Sequence, residues 1–302
     1  MPEPEETRAQ WPSIGNRFRF YLLFFLLLPI LCTMKTPAQT PRKALILTAF
    51  GTSIPEAWAT YESIEKRFAE AFPDYDIRWA FTAAFVRKKW RSQGRHIDSP
   101  ASALARLADE GYQEVSMQSL HVIGGHEYHD LIKTVRALEG LPKGLQRIHL
   151  GRPLLASDED YRELARILTR YSLNHRQPEE AWLMMGHGTG HGANISYAGL
   201  QLYLQEEDPL MLLGTLEAFP DLERAIRILS DKGCKTVWVM PLLTVAGDHV
   251  VRDMAGSESD SWKSRLEAEG YTVKIHPLPL GAIPEIVDRW IKKAKTAEAS
   301  AP

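Results

Sequence analysis

The sequence predicts an α/β protein in which a four-stranded, mainly parallel sheet, doubly wound with helices on both faces, occurs twice. Three observations lead there. Short apolar runs of strand length alternate with amphipathic helical patterns, the alternation continues through the chain, and one stretch repeats another. Leu104 to Gly125 (LARLADEGYQEVSMQSLHVIGG) matches Ile226 to Gly247 (IRILSDKGCKTVWVMPLLTVAG) at a constant offset of 122 residues. Both stretches read as helix, glycine turn, apolar strand and glycine-containing loop.

The elements follow in order. In the first half, strands are expected near 44–49, 76–82, 114–120 and 147–153, and in the second near 182–186, 211–216, 236–242 and 272–278. Helical spacing of apolar residues marks 55–71, 100–110, 158–171, 220–232 and 284–295. The repeat extends to Ile46, Thr48, Phe50, Gly51 and Thr52 against Leu183, Met185, His187, Gly188 and Thr189. Residues 43–156 and 157–296 are therefore expected to be two domains related by duplication.

Ahead of them, residues 20–34 (FYLLFFLLLPILCTM) form an unbroken apolar run after Arg17 and Arg19. The run is short of the roughly 20 residues a membrane span needs, and small residues at Thr36-Pro37-Ala38 suit a signal peptidase. Residues 1–38 are read as a signal peptide, which places the body in the periplasm; an uncleaved anchor is the alternative.

The 302-residue chain has 36 Lys+Arg against 38 Asp+Glu, so it lacks the basic footprint of a nucleic-acid binder. With 44% hydrophobic residues it can bury a sizeable core. Its cysteines are Cys32 and Cys234, and only the second survives removal of the leader. That excludes an intramolecular disulfide framework or a zinc site made of several cysteines.

In parallel α/β folds ligands bind beyond the carboxyl ends of the strands. Three polar residues stand there in the second half: His187 in MMGHGTGH, Glu217 in GTLEAFP and His249 in LLTVAGDHVVRDM. Neutral imidazole and carboxylate suit a divalent first-row ion, and two histidines with one glutamate leave coordination positions open. A pair of surface or capping histidines accounts for the spacing equally well. The glycines of GHGTGHG do not make a phosphate loop, because neither GxxxxGK[ST] nor GxGxxG is present, and no GxSxG elbow supports a serine hydrolase. Arg87 and Lys88, after the second strand, could meet an anionic substrate, although a solvated helix face is the commoner reason for such a run. His126 and His129 are spaced to share a helix face.

These segments, ALILTAFGTS, SMQSLHVIGGHEYH, MMGHGTGH, GTLEAFP and MPLLTVAGDHVVRDMAG, keep the order they have in a known family, and from about residue 43 to 293 the chain resembles the anaerobic sirohydrochlorin cobaltochelatases, which are class II chelatases. The resemblance implies two Rossmann-like domains with a tetrapyrrole between them, and ATP-independent insertion of Co2+, with Fe2+ as an alternative metal, into sirohydrochlorin in anaerobic cobalamin biosynthesis or a related periplasmic tetrapyrrole process. It assigns metal binding and catalysis to His187, Glu217 and His249, and gives Arg87 and Lys88 the substrate's carboxylates to bind. Members with a signal peptide resemble a periplasmic, tetrameric branch that holds haem b through a GEEFH-like segment, here Gly125-His126-Glu127-Tyr128-His129, which makes His129 the candidate haem ligand. Arg252 departs from the family's more frequent asparagine. A different class of function, a periplasmic metal or haem carrier serving a transport system, stays open on the sequence; a ferrochelatase acting on protoporphyrin fits the motifs less well.

Overall fold

A computed structural model describes residues 42–299, which form one compact unit. The expected signal peptide lies outside the described residues, and among these no helix is long and apolar enough to cross a membrane.

The first half runs β1 (Lys43–Ala49), α1 (Trp58–Ala71), β2 (Tyr75–Phe81), α2 (Ala84–Ser92), α3 (Pro100–Asp109), β3 (Glu114–Ser119), α4 (His126–Leu138) and β4 (Arg147–Gly151). The second runs α5 (Asp158–Leu173), β5 (Ala181–Gly186), α6 (Ile195–Glu207), β6 (Met211–Thr215), α7 (Leu222–Lys232), β7 (Thr236–Pro241), α8 (Trp262–Ala268), β8 (Thr272–Ile275) and α9 (Pro284–Ala299). The strands make two four-stranded sheets with orders β2-β1-β3-β4 and β6-β5-β7-β8, and every pairing is parallel. All eight expected strands are present, most of them a residue or more shorter at the carboxyl end than the apolar run that marks them.

The repeat reaches down to the helix caps. Ser99 accepts from the backbone N–H of Ser102 at the start of α3, and Asp221, 122 positions later, accepts from that of Arg224 at the start of α7. These oxygens satisfy donors that a helix start leaves without partners. Gly111 and Gly233, again 122 apart, both take left-handed backbone conformations, with φ of 86° and 67°, and turn the chain into β3 and β7.

Sheet membership follows the two sequence halves, but helix packing does not. The last helix, α9, lies against β3 and β4 of the first sheet. Its stripe of Ile286, Val287, Trp290, Ile291 and Ala294 is buried in an apolar core that also holds Leu45 and Leu47 of β1 and Trp182 and Met184 of β5. The two halves thus share this apolar core, and each also buries a second cluster made of its own residues alone. Asp160 near the start of α5 accepts from Lys293 (2.6 Å) and Arg289 (3.2 Å) of α9, a largely buried link across the same seam.

One buried titratable group makes stability depend on pH. His276, after β8, is 7% exposed, and its Nε2 shares a 2.9 Å hydrogen bond with the Tyr171 hydroxyl. Burial first, and the neighbouring His175 second, push its pKa from 6.5 down to about 4. The unfolded chain therefore binds the extra proton between those values, so this contribution is complete above pH 6.5 and is lost as pH falls towards 4. The loss reaches up to about 3 kcal/mol. Urea unfolding at about pH 7 and about pH 4.5 should show His276→Gln losing less stability than the parent between the two conditions; an equal loss in both proteins would refute this account.

Candidate metal centre

β5 delivers His187. The strand is buried along its whole length and ends at Gly186, so the next side chain is the first that can face solvent. The loops after β5 and β6 are held together by backbone hydrogen bonds, Leu216 N–H to Gly186 O (3.1 Å) and Glu217 N–H to His187 O (3.0 Å). Glu217 consequently stands beside His187, its Oε2 3.6 Å from the imidazole Nδ1. Gly188, with φ of 83°, makes the turn that lets the two loops close.

β7 delivers His249 through a longer loop. The histidine heads a single π-helical turn, Val250–Met254, anchored by the buried Val250 and Met254. Such turns recur at functional sites because they displace one residue from the regular helical ladder. The rings of His187 and His249 lie 4.8 Å apart, almost perpendicular.

Hydrogen bonding selects the tautomers. His249 Nδ1 is 2.6 Å from Asp253 Oδ2, and His187 Nδ1 is 2.9 Å from the Gly188 carbonyl oxygen. Both partners accept, so Nδ1 carries the proton on each ring and each Nε2 keeps a lone pair for a metal. Among the described residues no three His, Cys, Asp or Glu side chains are already gathered at metal-binding spacing. Glu217 meets His187 on its Nδ1 side, and its exposed carboxylate has room to turn.

These residues line a cleft of about 420 Å³ to which both halves contribute. The first half gives it an apolar wall. Phe50, which occupies the repeat position of His187, packs edge to face on Phe85 at 5.9 Å, and both rings stay exposed. Where one half offers imidazole, the other offers an aromatic face suited to a flat ligand. The halves meet beside the cleft where the Thr244 hydroxyl donates to Leu120 O at 2.7 Å. His121 also lines it, and burial pushes that imidazole down to about 4.

The other sequence candidates lie around this cleft. Arg87 is on α2 next to the Phe85 wall, and its guanidinium donates to the carbonyl oxygens of Phe81 and Thr82 at the end of β2. Lys88 beside it is exposed. His129 is exposed near the start of α4, and its Nδ1 lies 2.9 Å from Nε2 of His191. Sequence reasoning had not singled out Asp253 as a site residue. The i, i+4 spacing to His249 was the available signal, but it counts only once that loop is known to be helical.

Comparison with known proteins fits this geometry. A model of the cobalt chelatase family (CbiK) matches residues 43–299. The chain belongs to the cobalt chelatase family. It is 38% identical over 229 residues to the sirohydrochlorin cobaltochelatase CbiKC of Nitratidesulfovibrio vulgaris, covering 76% of this chain and 81% of that one. Against the sirohydrochlorin cobaltochelatase of Salmonella typhimurium the figures are 38% over 231 residues, 76% and 86%. Among solved structures, SirB from Bacillus subtilis with Fe3+ superposes with a TM-score of 0.58 at 15% identity, over 85% of this chain and 96% of that one. CbiX, described as the terminal enzyme for biosynthesis of siroheme in denitrifying bacteria, gives 0.54 at 17% identity, over 86% and 100%. These structural likenesses support the duplicated Rossmann-like chelatase fold.

Within this chelatase, the Asp253 carboxylate orients His249 by accepting from its Nδ1. Removing such a partner costs about 10- to 100-fold in metal affinity. Asp253→Ala should weaken Co2+ binding by that order while leaving the thermal unfolding midpoint close to the parent. Titration calorimetry with Co2+ alone checks it, and unchanged affinity would remove Asp253 from the site.

Proposed function

We infer that this chain is a sirohydrochlorin cobaltochelatase, inserting Co2+ into sirohydrochlorin without ATP and accepting Fe2+ as a second metal. The observation that carries the reading is the meeting of His187, Glu217 and His249 at the ends of β5, β6 and β7, opposite an exposed aromatic wall in one cleft. Metallation exchanges two pyrrole N–H protons for one divalent ion. The site must therefore present the ion to one face of the macrocycle and accept the protons. The Nε2 atoms of His187 and His249 hold the ion together with Glu217, and the two departing protons pass to Glu217 and to an imidazole released from the metal, and from these to solvent. Phe50 and Phe85 hold the ring plane against the metal. Lys88 meets a carboxylate of the substrate, while Arg87 stiffens the turn that carries Phe85.

The same reading extends to the setting. Residues 1–38 export the chain to the periplasm, the protein assembles as a homotetramer, and His129 is the ligand for haem b. What supports that last role is that the ring is exposed near the start of α4. Bound haem would supply an iron centre distinct from the inserted metal.

Anaerobic mixing of sirohydrochlorin, Co2+ or Fe2+ and the purified chain, followed by the tetrapyrrole absorbance change, tests the activity. Insertion faster than the protein-free rate is expected. Tight metal or haem binding with no acceleration would replace the enzyme with a carrier.

A further inference from the structure

The basic run on α2 holds a cation that the sequence reading passed over. Arg87 is engaged by the carbonyl oxygens of Phe81 and Thr82. Lys89 Nζ instead donates to the Ser53 hydroxyl at 3.1 Å, and among the described residues it forms no ion pair with an Asp or Glu. Ser53 lines the cleft in the turn after β1, and Lys89 stands one helical turn beyond Phe85, on the same side of α2 as the aromatic wall. The pair is framed on both sides. Trp90, only 7% exposed, donates from Nε1 to Thr52 O at 2.7 Å, and the Ile54 N–H donates to Thr52 Oγ1 at 3.2 Å, so the turn is fastened to the helix that carries Lys89. The hydroxyl is not demanded by the turn, because the second half has Gly190 at the repeat position, where a Cβ would meet nothing within 4 Å. Since the lysine donates, the Ser53 O–H is left to donate outward, and the ammonium keeps two further protons. Arg252, close to His249, differs in already having Asp248 at 3.1 Å.

We propose that Lys89 and Ser53 form a carboxylate-binding subsite at the rim of the cleft, which takes one acidic side group of the tetrapyrrole and selects macrocycles that carry carboxylates at their edge. The identity of the anion rests on the chelatase reading. A flat ring laid against Phe50 and Phe85 carries its substituents outward along that wall, where the ammonium and the hydroxyl each donate to one carboxylate. The cation gives up no ion pair to make this contact. A ring edge bearing alkyl groups alone would offer the ammonium nothing in exchange for its water. Because the contact lies away from the pyrrole nitrogens, it is made equally before and during insertion and so sets substrate affinity rather than turnover.

Titration of the full chain with metal-free sirohydrochlorin, followed by quenching of tryptophan fluorescence with no Co2+ present, tests the subsite. Lys89→Met, which keeps the stem and removes the charge, should weaken binding about tenfold, and Ser53→Ala should weaken it less. Lys89→Arg, which keeps the charge, should recover most of the loss. Added salt should weaken binding more steeply in the parent than in Lys89→Met, because the variant lacks a pair that salt can screen. In the insertion assay the loss should fall on KM for sirohydrochlorin, with Co2+ affinity that of the parent. Thermal unfolding reports that each variant folds. Parent-like affinity in Lys89→Met, or the same salt dependence in both proteins, would overturn the proposal even where insertion proceeds. A parent that binds sirohydrochlorin through Lys89 and inserts no metal would instead overturn the chelatase reading and leave the subsite standing.

Discussion

His187→Ala, His249→Ala is expected to reduce Co2+ insertion to the rate of the protein-free reaction. The two imidazoles come from the ends of adjacent strands, and each has Nδ1 occupied by a fixed acceptor, Gly188 O in one case and Asp253 in the other. Both Nε2 lone pairs are therefore available to the metal of the proposed site, and removing them leaves Glu217 as a single exposed carboxylate, which cannot hold a transition metal against water. Losing the metal's positioning is worth several kcal/mol, or about a thousandfold or more in rate. Each single substitution leaves two of three ligands and should cost less, and the two effects should not add, because the ligands act as a unit. The Phe50 and Phe85 wall is untouched, so sirohydrochlorin should still bind to the double variant and quench its tryptophan fluorescence. Full activity in the double variant would remove the metal role from both histidines.

Why those residues could be found in the sequence is physical. A parallel strand buried on both faces reads as an apolar run, so its end is marked by the first polar residue, which for β5 is His187. The duplication could be read because what repeats is backbone chemistry: an N-cap oxygen at Ser99 and Asp221, a left-handed glycine at Gly111 and Gly233. Helices α2, α4, α6 and α8 were harder to delimit. In α6 apolar residues are spread around the helix, with Tyr197, Leu200 and Leu204 buried and Ile195 and Leu202 exposed, so no single stripe announces it. α8 is only Trp262–Ala268, too short to display a period. What depends on long-range packing had no local signal. The position of α9 on the first sheet, the meeting of His129 with His191 across the two halves, and the engagement of Arg87 by carbonyl oxygens at the end of β2 are each set by the approach of segments the sequence keeps apart.

Gly188→Ala should damage stability and activity together, whereas Gly192→Ala, four residues on in the same glycine-rich loop, should do little. At Gly188 φ is 83°, a conformation that costs an L-residue about 1–2 kcal/mol. A Cβ built there lies 2.9 Å from the Ala218 backbone nitrogen and 3.0 Å from Thr215 Cβ and Oγ1. None of these is the free end of a flexible side chain. Thr215 Oγ1 is tied to the carbonyl oxygens of Ala218 and Pro220, and the Glu217 N–H is bonded to His187 O, so the loop after β6 cannot move aside without carrying Glu217 with it. Relief of the clash therefore separates the carboxylate from His187. Displacement of a reacting group by about 1 Å costs about a hundredfold in rate, and the strain and overpacking together cost about 2–4 kcal/mol of stability. A Cβ at Gly192 meets nothing within 4 Å. Thermal unfolding and Co2+ insertion rates of the two variants, measured side by side, decide the point: equal behaviour would mean that the junction between the β5 and β6 loops does not position the metal ligands.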